Sequence, residues 1–415
     1  DGGDVSSDGG LTLIAAADKR LGLTEKLSEC RVDERDASRV VHPLAALVMQ
    51  RVYQIVGGYE DCNDADQLRH DPILKLCVGR LPGTERALAS QPTLSRFENS
   101  VGRQQLWAMA DVFLEIFISQ YADTEPEQII LDFDATDDET HGQQQFAEFH
   151  GYYDEHCYRP LIVTAQVDGG PHELLVAMLR KGKCHSGYRS LPVLKLLVAR
   201  LRAQWPDAQI ILRADSGFAL PRVYNWCERN NVDYLIGLAQ NSRLLEAAGP
   251  SMAVAREQFA QTGEKVRNVC EEMYAAGSWP HQRRVVIKAE VMEQGENPRF
   301  VVTSLSGEPE ALYNLYGERG DMENRIKELK RDLAMDRTSC HRFLANQFRV
   351  LLHAAAFVLL SFLRKHLADT SLCNAQACSL RLKLLKIGVR VQESHRRVRL
   401  DFASSYPLQE LWMRL

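Results

Sequence analysis

The chain has 415 residues, 45% hydrophobic and 25% charged: room for two or three domains with real cores, and the balance of an ordinary soluble globular protein. Its ten cysteines are scattered singly with no CxxC pair, which argues against a zinc site, a redox motif or a disulfide scaffold and fits reduced thiols in a cytosol. The net charge of −5 disfavours a phosphate-rich partner only in sum, because Arg364 to Arg399 holds nine Lys and Arg against Asp369 and Glu393.

In chain order, Asp1–Gly10 reads as a segment just after a missing start or tag. Residues 11 to about 120 read as helices. Leu44–Val56 is apolar with helical spacing, Gly57-Gly58 breaks it, Asp71-Pro72 and Gln91-Pro92 mark boundaries, and Thr93 is placed to cap a helix. The pattern changes at Pro126. Gln128–Phe133, Leu161–Val167, Leu174–Leu179, Gln209–Leu212 and Tyr234–Leu238 read as strands, with Gly169-Gly170 closing a hairpin between the second and third. Leu191–Leu201 and Leu220–Arg229 read as the intervening helices, so the order predicts a mixed sheet with covering helices. Residues from about 240 to 297 break that rhythm: an irregular stretch precedes the strand Arg283–Val291, and Arg299–Thr303 follows as another. Helix returns at Glu310 and dominates to the end. The apolar run Leu351–Leu363 contains His353 and Ser361, is too short to span a bilayer, and reads as a buried helix.

Two acidic positions stand at strand exits: Asp132-Phe133-Asp134-Ala135-Thr136 and Arg213-Ala214-Asp215-Ser216-Gly217. Functional groups collect at such ends in α/β sheets, and hard carboxylate oxygens suit Mg²⁺; an acid there is also an ordinary turn or cap residue. Asp132 and Asp134 face one side of their strand, and Asp134 is preferred because it lies nearer the exit. Asp137, Asp138 and Glu139 read as a solvated loop. Tyr316, Arg319, Glu323 and Lys330 fall within a sector of about 60° on one predicted helix, beside a core stripe of Met322, Ile326, Leu329 and Leu333. An i,i+4 Arg–Glu pair on a solvated face explains part of that stripe but not its tyrosine. Functionally, Glu323 with two aspartates can hold two divalent ions for phosphoryl transfer, Arg319 and Lys330 can grip phosphates, and Tyr316 can position a phosphate or stack on a base.

At these residues the sequence resembles bacterial insertion-sequence transposases of the DDE superfamily. Tyr316-x2-Arg319-x3-Glu323-x6-Lys330 matches the YREK signature of the IS-four-related branch, and Asp134-Ala-Thr136 resembles its first-aspartate motif. Gly58-Tyr59-Glu60-Asp61, Leu68-Arg69-x-Asp71-Pro72, Pro92-Thr93-Leu94-Ser95-Arg96-Phe97-Glu98-Asn99 and Leu384-Leu385-Lys386-Ile387-Gly388 resemble the IS-thirteen-eighty family in particular. The resemblance implies an RNase H-like α/β core with a mixed five-stranded sheet, a β-rich insertion, and helical N- and C-terminal regions. It implies catalytic, metal-holding Asp134, Asp215 and Glu323 with two Mg²⁺ per site, Mn²⁺ being an alternative. It further implies DNA contacts by Tyr316, Arg319 and Lys330, with Trp279 carried over as a base-stacking residue and Arg283 and Arg284 as its phosphate-holding neighbours. The expected organisation is a helical region for DNA-end binding and dimerisation (1–125), the first part of the core (126–239), the insertion (240–305), the second part of the core (306–345) and a basic helical region (346–415).

The implied function is cut-and-paste transposition at terminal inverted repeats, by a homodimer or higher assembly acting on double-stranded transposon and target DNA. The implied location is the bacterial cytoplasm at the nucleoid, with no membrane partner. Competing readings are a structure-specific nuclease of the same fold, a silent DNA-binding regulator derived from a transposase, and a two-carboxylate glycosidase, which would not need the Arg319 and Lys330 cations.

Overall fold

Runs of β-branched and large apolar residues after Pro126 build a central sheet, seen here in a computed structural model that describes residues 3–415. Asp1 and Gly2, the start of the segment read as following a missing start or tag, lie outside the described residues. The strands are β1 (Gln128–Ala135), β2 (Leu161–Val167), β3 (Glu173–Met178), β4 (Gln209–Ala214), β5 (Asp233–Leu238), β6 (Val266–Tyr274), β7 (Arg283–Met292) and β8 (Arg299–Thr303). Their spatial order is β6-β7-β8-β5-β4-β1-β2-β3, with the short strand Gly295–Glu296 paired to β7. β1, β4 and β5 run parallel, and every other pairing is antiparallel.

Alternation along the strands gives the sheet two different faces. Ile129, Leu131, Phe133, Ile210, Leu212, Tyr234 and Ile236 point into one apolar layer, filled by Arg103–Gln120, Ser190–Gln204, Pro221–Arg229 and Ser242–Thr262. The opposite face carries Asp132, Asp134, Ile211, Arg213, Leu235 and Gly237 by the same alternation. Pro309–Gly317 packs there through Leu312 against Leu235, Val286 and Val301. The long helix Phe343–Lys365 joins the N-terminal helices, Leu44–Gly57 among them, in a second core that also takes in Ile162, Leu174 and Ala177. Among the described residues it is the helix long and apolar enough to cross a membrane, yet 83% of its apolar window is buried within the protein, as the sequence led us to expect.

Several elements differ from the sequence reading. The stretch after 240 opens with a helix of 21 residues, Ser242–Thr262, despite the internal Pro250, and β6, β7 and β8 extend the central sheet rather than folding apart from it. The basic tail is not helical throughout: Val389–Ser394 and Arg397–Phe402 form a hairpin, and Asp4–Ser6 adds a third strand to it. Lys386 holds the buried Asp8 at 2.6 Å, so this N-terminal segment is part of the fold. Thr93 lies inside the helix Gln91–Asn99, and Ser90 is the residue at its cap position. Asp138 is buried rather than solvated, and it opens a small sheet between β1 and β2 made of Asp138–Glu139, Glu155–Tyr158 and Glu148–His150.

Candidate active site

Parallel pairing sets the register of the site. Phe133 lies opposite Ala214 on β4, and Ala214 opposite Ile236 on β5, so Asp134, Asp215 and Gly237 lie together where three parallel strands end. The chain must turn there, and Asp215 makes the turn by accepting a 2.8 Å hydrogen bond from the Gly217 amide. One residue before each acid, the side chain enters the apolar layer; the acids therefore face the opposite side, toward the segment from Pro309 to Asp332.

That segment is helical but not uniform. It runs as Pro309–Gly317, breaks at Glu318 and Arg319, resumes as Gly320–Lys327 and widens into a π turn over Glu328–Asp332. Its anchors are buried. Arg213 donates to the Leu315 carbonyl at 2.7 Å, Glu328 is gripped by Arg325 and Arg364, and the His353 ring meets the Leu333 carbonyl. Lys330 lies within that wide turn, and its ammonium reaches Asp137 at 2.8 Å and Thr136 at 3.4 Å.

Arg319 sits at the centre. One guanidinium nitrogen lies 3.1 Å from Asp134 and another holds Glu323. Burial works against its charge, yet Asp134, Tyr316, Glu323 and Asp215 together hold it above its ordinary range. Burial also pushes Asp134 up to about 6; Arg319 opposes that shift, and the like charges of Asp215 and Glu323 add to it. The Tyr316 phenol is buried and pushed up, with Asp215 contributing. Its hydroxyl lies over Gly237, where an added Cβ would come within 2.6 Å of it. At the mouth, burial raises Asp137, but its hydrogen bond and charge pairing with Lys330 hold it below the usual carboxylate range.

Asp132 has a different environment. It is fully buried and bound by Arg213 at 2.6 and 2.8 Å. Two residues along one strand thus separate a closed structural carboxylate from one that opens toward solvent.

Asp134, Asp215 and Glu323 are the residues here that could hold a divalent cation. Asp134 is a largely buried carboxylate whose charge Arg319 and the Ala135 amide offset while Asp215 and Glu323 add like charge, an environment a cation would suit. Glu323 is turned to Arg319, and among the described residues no three His, Cys, Asp or Glu side chains converge on one point.

Trp279, Arg283 and Arg284 are not brought to this place. Arg284 pairs with Thr303, and Thr303 with Leu235, which puts them toward the end of the sheet where β5 begins, away from the strand ends bearing the acids. Trp279 packs between Tyr224 and Tyr274, Arg283 is buried against Glu228 at 2.6 Å, and Arg284 is held by Glu271. Conversely, two residues the sequence did not single out belong beside Asp215. Ser186 crowds Gly217, whose added Cβ would meet it at 2.6 Å, and Arg159 donates to the Ser186 hydroxyl at 3.0 Å. No sequence spacing links 159 and 186 to 215, so only the fold could place them there.

The sequence profile of the family described as Transposase DDE domain group 1 matches residues 1–415. A search of curated proteins finds no match to the chain.

Proposed function

The chain belongs to this DDE transposase family, and from that membership we propose that it moves an insertion sequence by cut-and-paste, cutting and rejoining DNA at terminal inverted repeats. The observation that carries the proposal is the juxtaposition of Asp134 and Asp215 at adjacent parallel strand ends, with Arg319 joining Asp134 to Glu323. The strand order β3-β2-β1-β4-β5, an antiparallel hairpin beside three parallel strands, supports an RNase H-like core that β6, β7 and β8 extend. The finer family and the YREK branch rest on Tyr316, Arg319, Glu323 and Lys330, which line one segment.

In the proposed mechanism Asp134, Asp215 and Glu323 would hold two Mg²⁺ ions, which when bound would supply an activated nucleophile and charge neutralisation for phosphoryl transfer. The protein's own groups do the rest. Arg319 leaves Glu323 for the phosphate beside the cut, where its planar fork suits two oxygens. Tyr316, pinned over Gly237, fixes that phosphate from the other side. Lys330 takes a second phosphate at the mouth. The helical region before β1 and the basic segment after Arg364 are proposed to bind the repeats and pair two protomers, since two ends must be joined in concert.

Incubating the protein with Mg²⁺ and a labelled duplex bearing the element's terminal repeat tests this. Cuts at the repeat boundary followed by joining to a second duplex support it. Cuts without joining would indicate a nuclease on the same fold, and no cuts at all would overturn the proposal.

A further inference from the structure

Nine Lys and Arg lie between Arg364 and Arg399, and the fold holds four of them for itself. Arg364 grips Glu328, Lys365 reaches Glu173 at 2.7 Å, Arg381 donates to the Val56 and Asp332 carbonyls at 2.8 Å each, and Lys386 meets Asp8. Lys383 is exposed, and the other four cations, Arg390, Arg396, Arg397 and Arg399, all stand exposed on the hairpin of Val389–Ser394 and Arg397–Phe402. The free positive charge of this segment therefore gathers on the hairpin rather than on the helices before it.

Register sorts that charge onto one side. Directly opposed residues of an antiparallel pair share a face, and neighbours along a strand alternate. Val389 and Val391 point with Leu400 and Phe402 into the N-terminal helical core, while Arg390, Gln392, Arg397 and Arg399 point away from it into solvent. Asp401, the acid of that outer face, is answered by Arg399 at 2.7 Å. Glu393, on the inner side, accepts from the Gly83 amide at 2.7 Å, and Asp4–Ser6 pairs with Val389–Val391, so the hairpin is pinned near its tip and at its base. Its root is fastened to the candidate active site. Besides the Arg381 bond, the Cys378 amide donates to the Asp332 carboxylate at 3.1 Å, and Asp332 closes the π turn that carries Lys330.

We infer that the outer face of this hairpin lies in the major groove of double-stranded DNA, with Arg396 and Arg397 at its tip meeting phosphates and Gln392 and Arg399 turned to base edges. A two-stranded ribbon fits the width of that groove, and Arg and Gln match the patterns that guanine and adenine present there. The deep, narrow major groove of an RNA duplex does not admit such a ribbon, which selects DNA as the partner. The inference rests on the reading of the chain as a DNA transposase, and it moves the basic contact from the helices after Arg364 to the hairpin.

The test is fluorescence anisotropy of the full chain, without divalent metal, on a labelled duplex bearing the terminal repeat. A second duplex of the same sequence carries glucosylated 5-hydroxymethylcytosine, whose sugars fill the major groove. Arg396→Gln/Arg397→Gln should bind the plain duplex about tenfold more weakly and flatten its salt dependence by about two phosphate contacts, with an unchanged melting temperature. Arg396→Lys/Arg397→Lys should keep the wild-type slope. The glucosylated duplex should weaken wild type to the level of the glutamine variant and leave that variant unaffected. A glutamine variant with wild-type affinity and slope overturns the inference, as does a wild type that binds both duplexes alike; if wild type still cuts the repeat in Mg²⁺, the reading of the carboxylates stands. Asp215→Ala, carried alongside, should bind as wild type and lose cleavage. If it still cleaves, that reading fails while the hairpin contact stands.

Discussion

Arg213 closes on Asp132 with two hydrogen bonds of 2.6 and 2.8 Å, both side chains fully buried, and with its remaining nitrogen it holds the Leu315 carbonyl of the segment that bears Glu323. Asp132→Ala leaves that guanidinium buried without its carboxylate, and should cost about 3–5 kcal/mol of folding stability. Urea denaturation measures it. Replacing both residues by apolar ones of similar volume should recover much of the loss. A single variant as stable as wild type would mean the pair contributes little to the fold.

Asp134→Ala, Asp215→Ala and Glu323→Ala should each lower cleavage by about three orders of magnitude or more, because each would remove a ligand of the proposed metal site, worth several kcal/mol in the transition state. DNA binding, followed by gel shift, should persist. Cleavage that survives in Asp134→Asn but vanishes in Asp132→Asn would reverse the assignment of the two carboxylates.

Arg319 is paired with Asp134 and Glu323, so it would compete for them with the proposed cation. Arg319→Gln should therefore bind Mn²⁺ more tightly than wild type, seen by calorimetry without DNA. The same change, and Lys330→Ala, should flatten the salt dependence of DNA-end binding by about one phosphate contact each. An unchanged slope in both would leave these cations as local ion-pair partners only.

The Tyr316 hydroxyl lies where a methyl on Gly237 would come within 2.6 Å of it. Gly237→Ala should displace the ring and slow cleavage by about tenfold to a hundredfold with little loss of fold, by misplacing a group near the reacting phosphate. Tyr316→Phe removes the clashing oxygen. If Gly237→Ala slows a Tyr316→Phe protein as much as it slows wild type, the clash is not what slows it.

Burial holds Asp134 near 6, above its ordinary 3.8. The sign follows from linkage: the folded state favours the protonated acid, so the stability associated with it is present below pH 4 and is lost as pH rises through about 6. Without metal, Asp134→Asn should gain stability over wild type across that window, reaching on the order of 3 kcal/mol above it. A gap that stays flat between pH 4 and 7 would contradict the shift.

The strands of the parallel centre were legible because each is a short apolar run bounded by turn formers, and the exits of β1 and β4 pointed to Asp134 and Asp215. The helix Ser242–Thr262 was not, because Gly249-Pro250 interrupts its pattern while tertiary packing of Leu244, Ala248, Met252 and Ala255 keeps it helical. The tail hairpin was hidden because Val389, Val391, Val398 and Leu400 are spaced by basic and polar residues that read equally well as a charged helix face. Helical arithmetic assumed one uniform helix from Tyr316 to Lys330, and the break at Glu318 and Arg319 and the π turn at Glu328–Asp332 were not legible in it. Arg159 and Ser186 carry no local signature; their place beside Asp215 comes from strands meeting across the sheet.

The strand Asp4–Ser6 finds its partner in Val389–Val391, and Asp8 finds Lys386. The second of these segments follows the first by some 380 residues of chain. Until the hairpin emerges, Asp8 has no ammonium to meet, and Leu11 and Ile14 lack the Leu384, Leu385 and Val389 side chains that share their core. Closure therefore waits for that later segment. A chain that stopped before Val389 would hold Asp134, Asp215 and Glu323 yet leave Asp4–Ser6 without its strand partner.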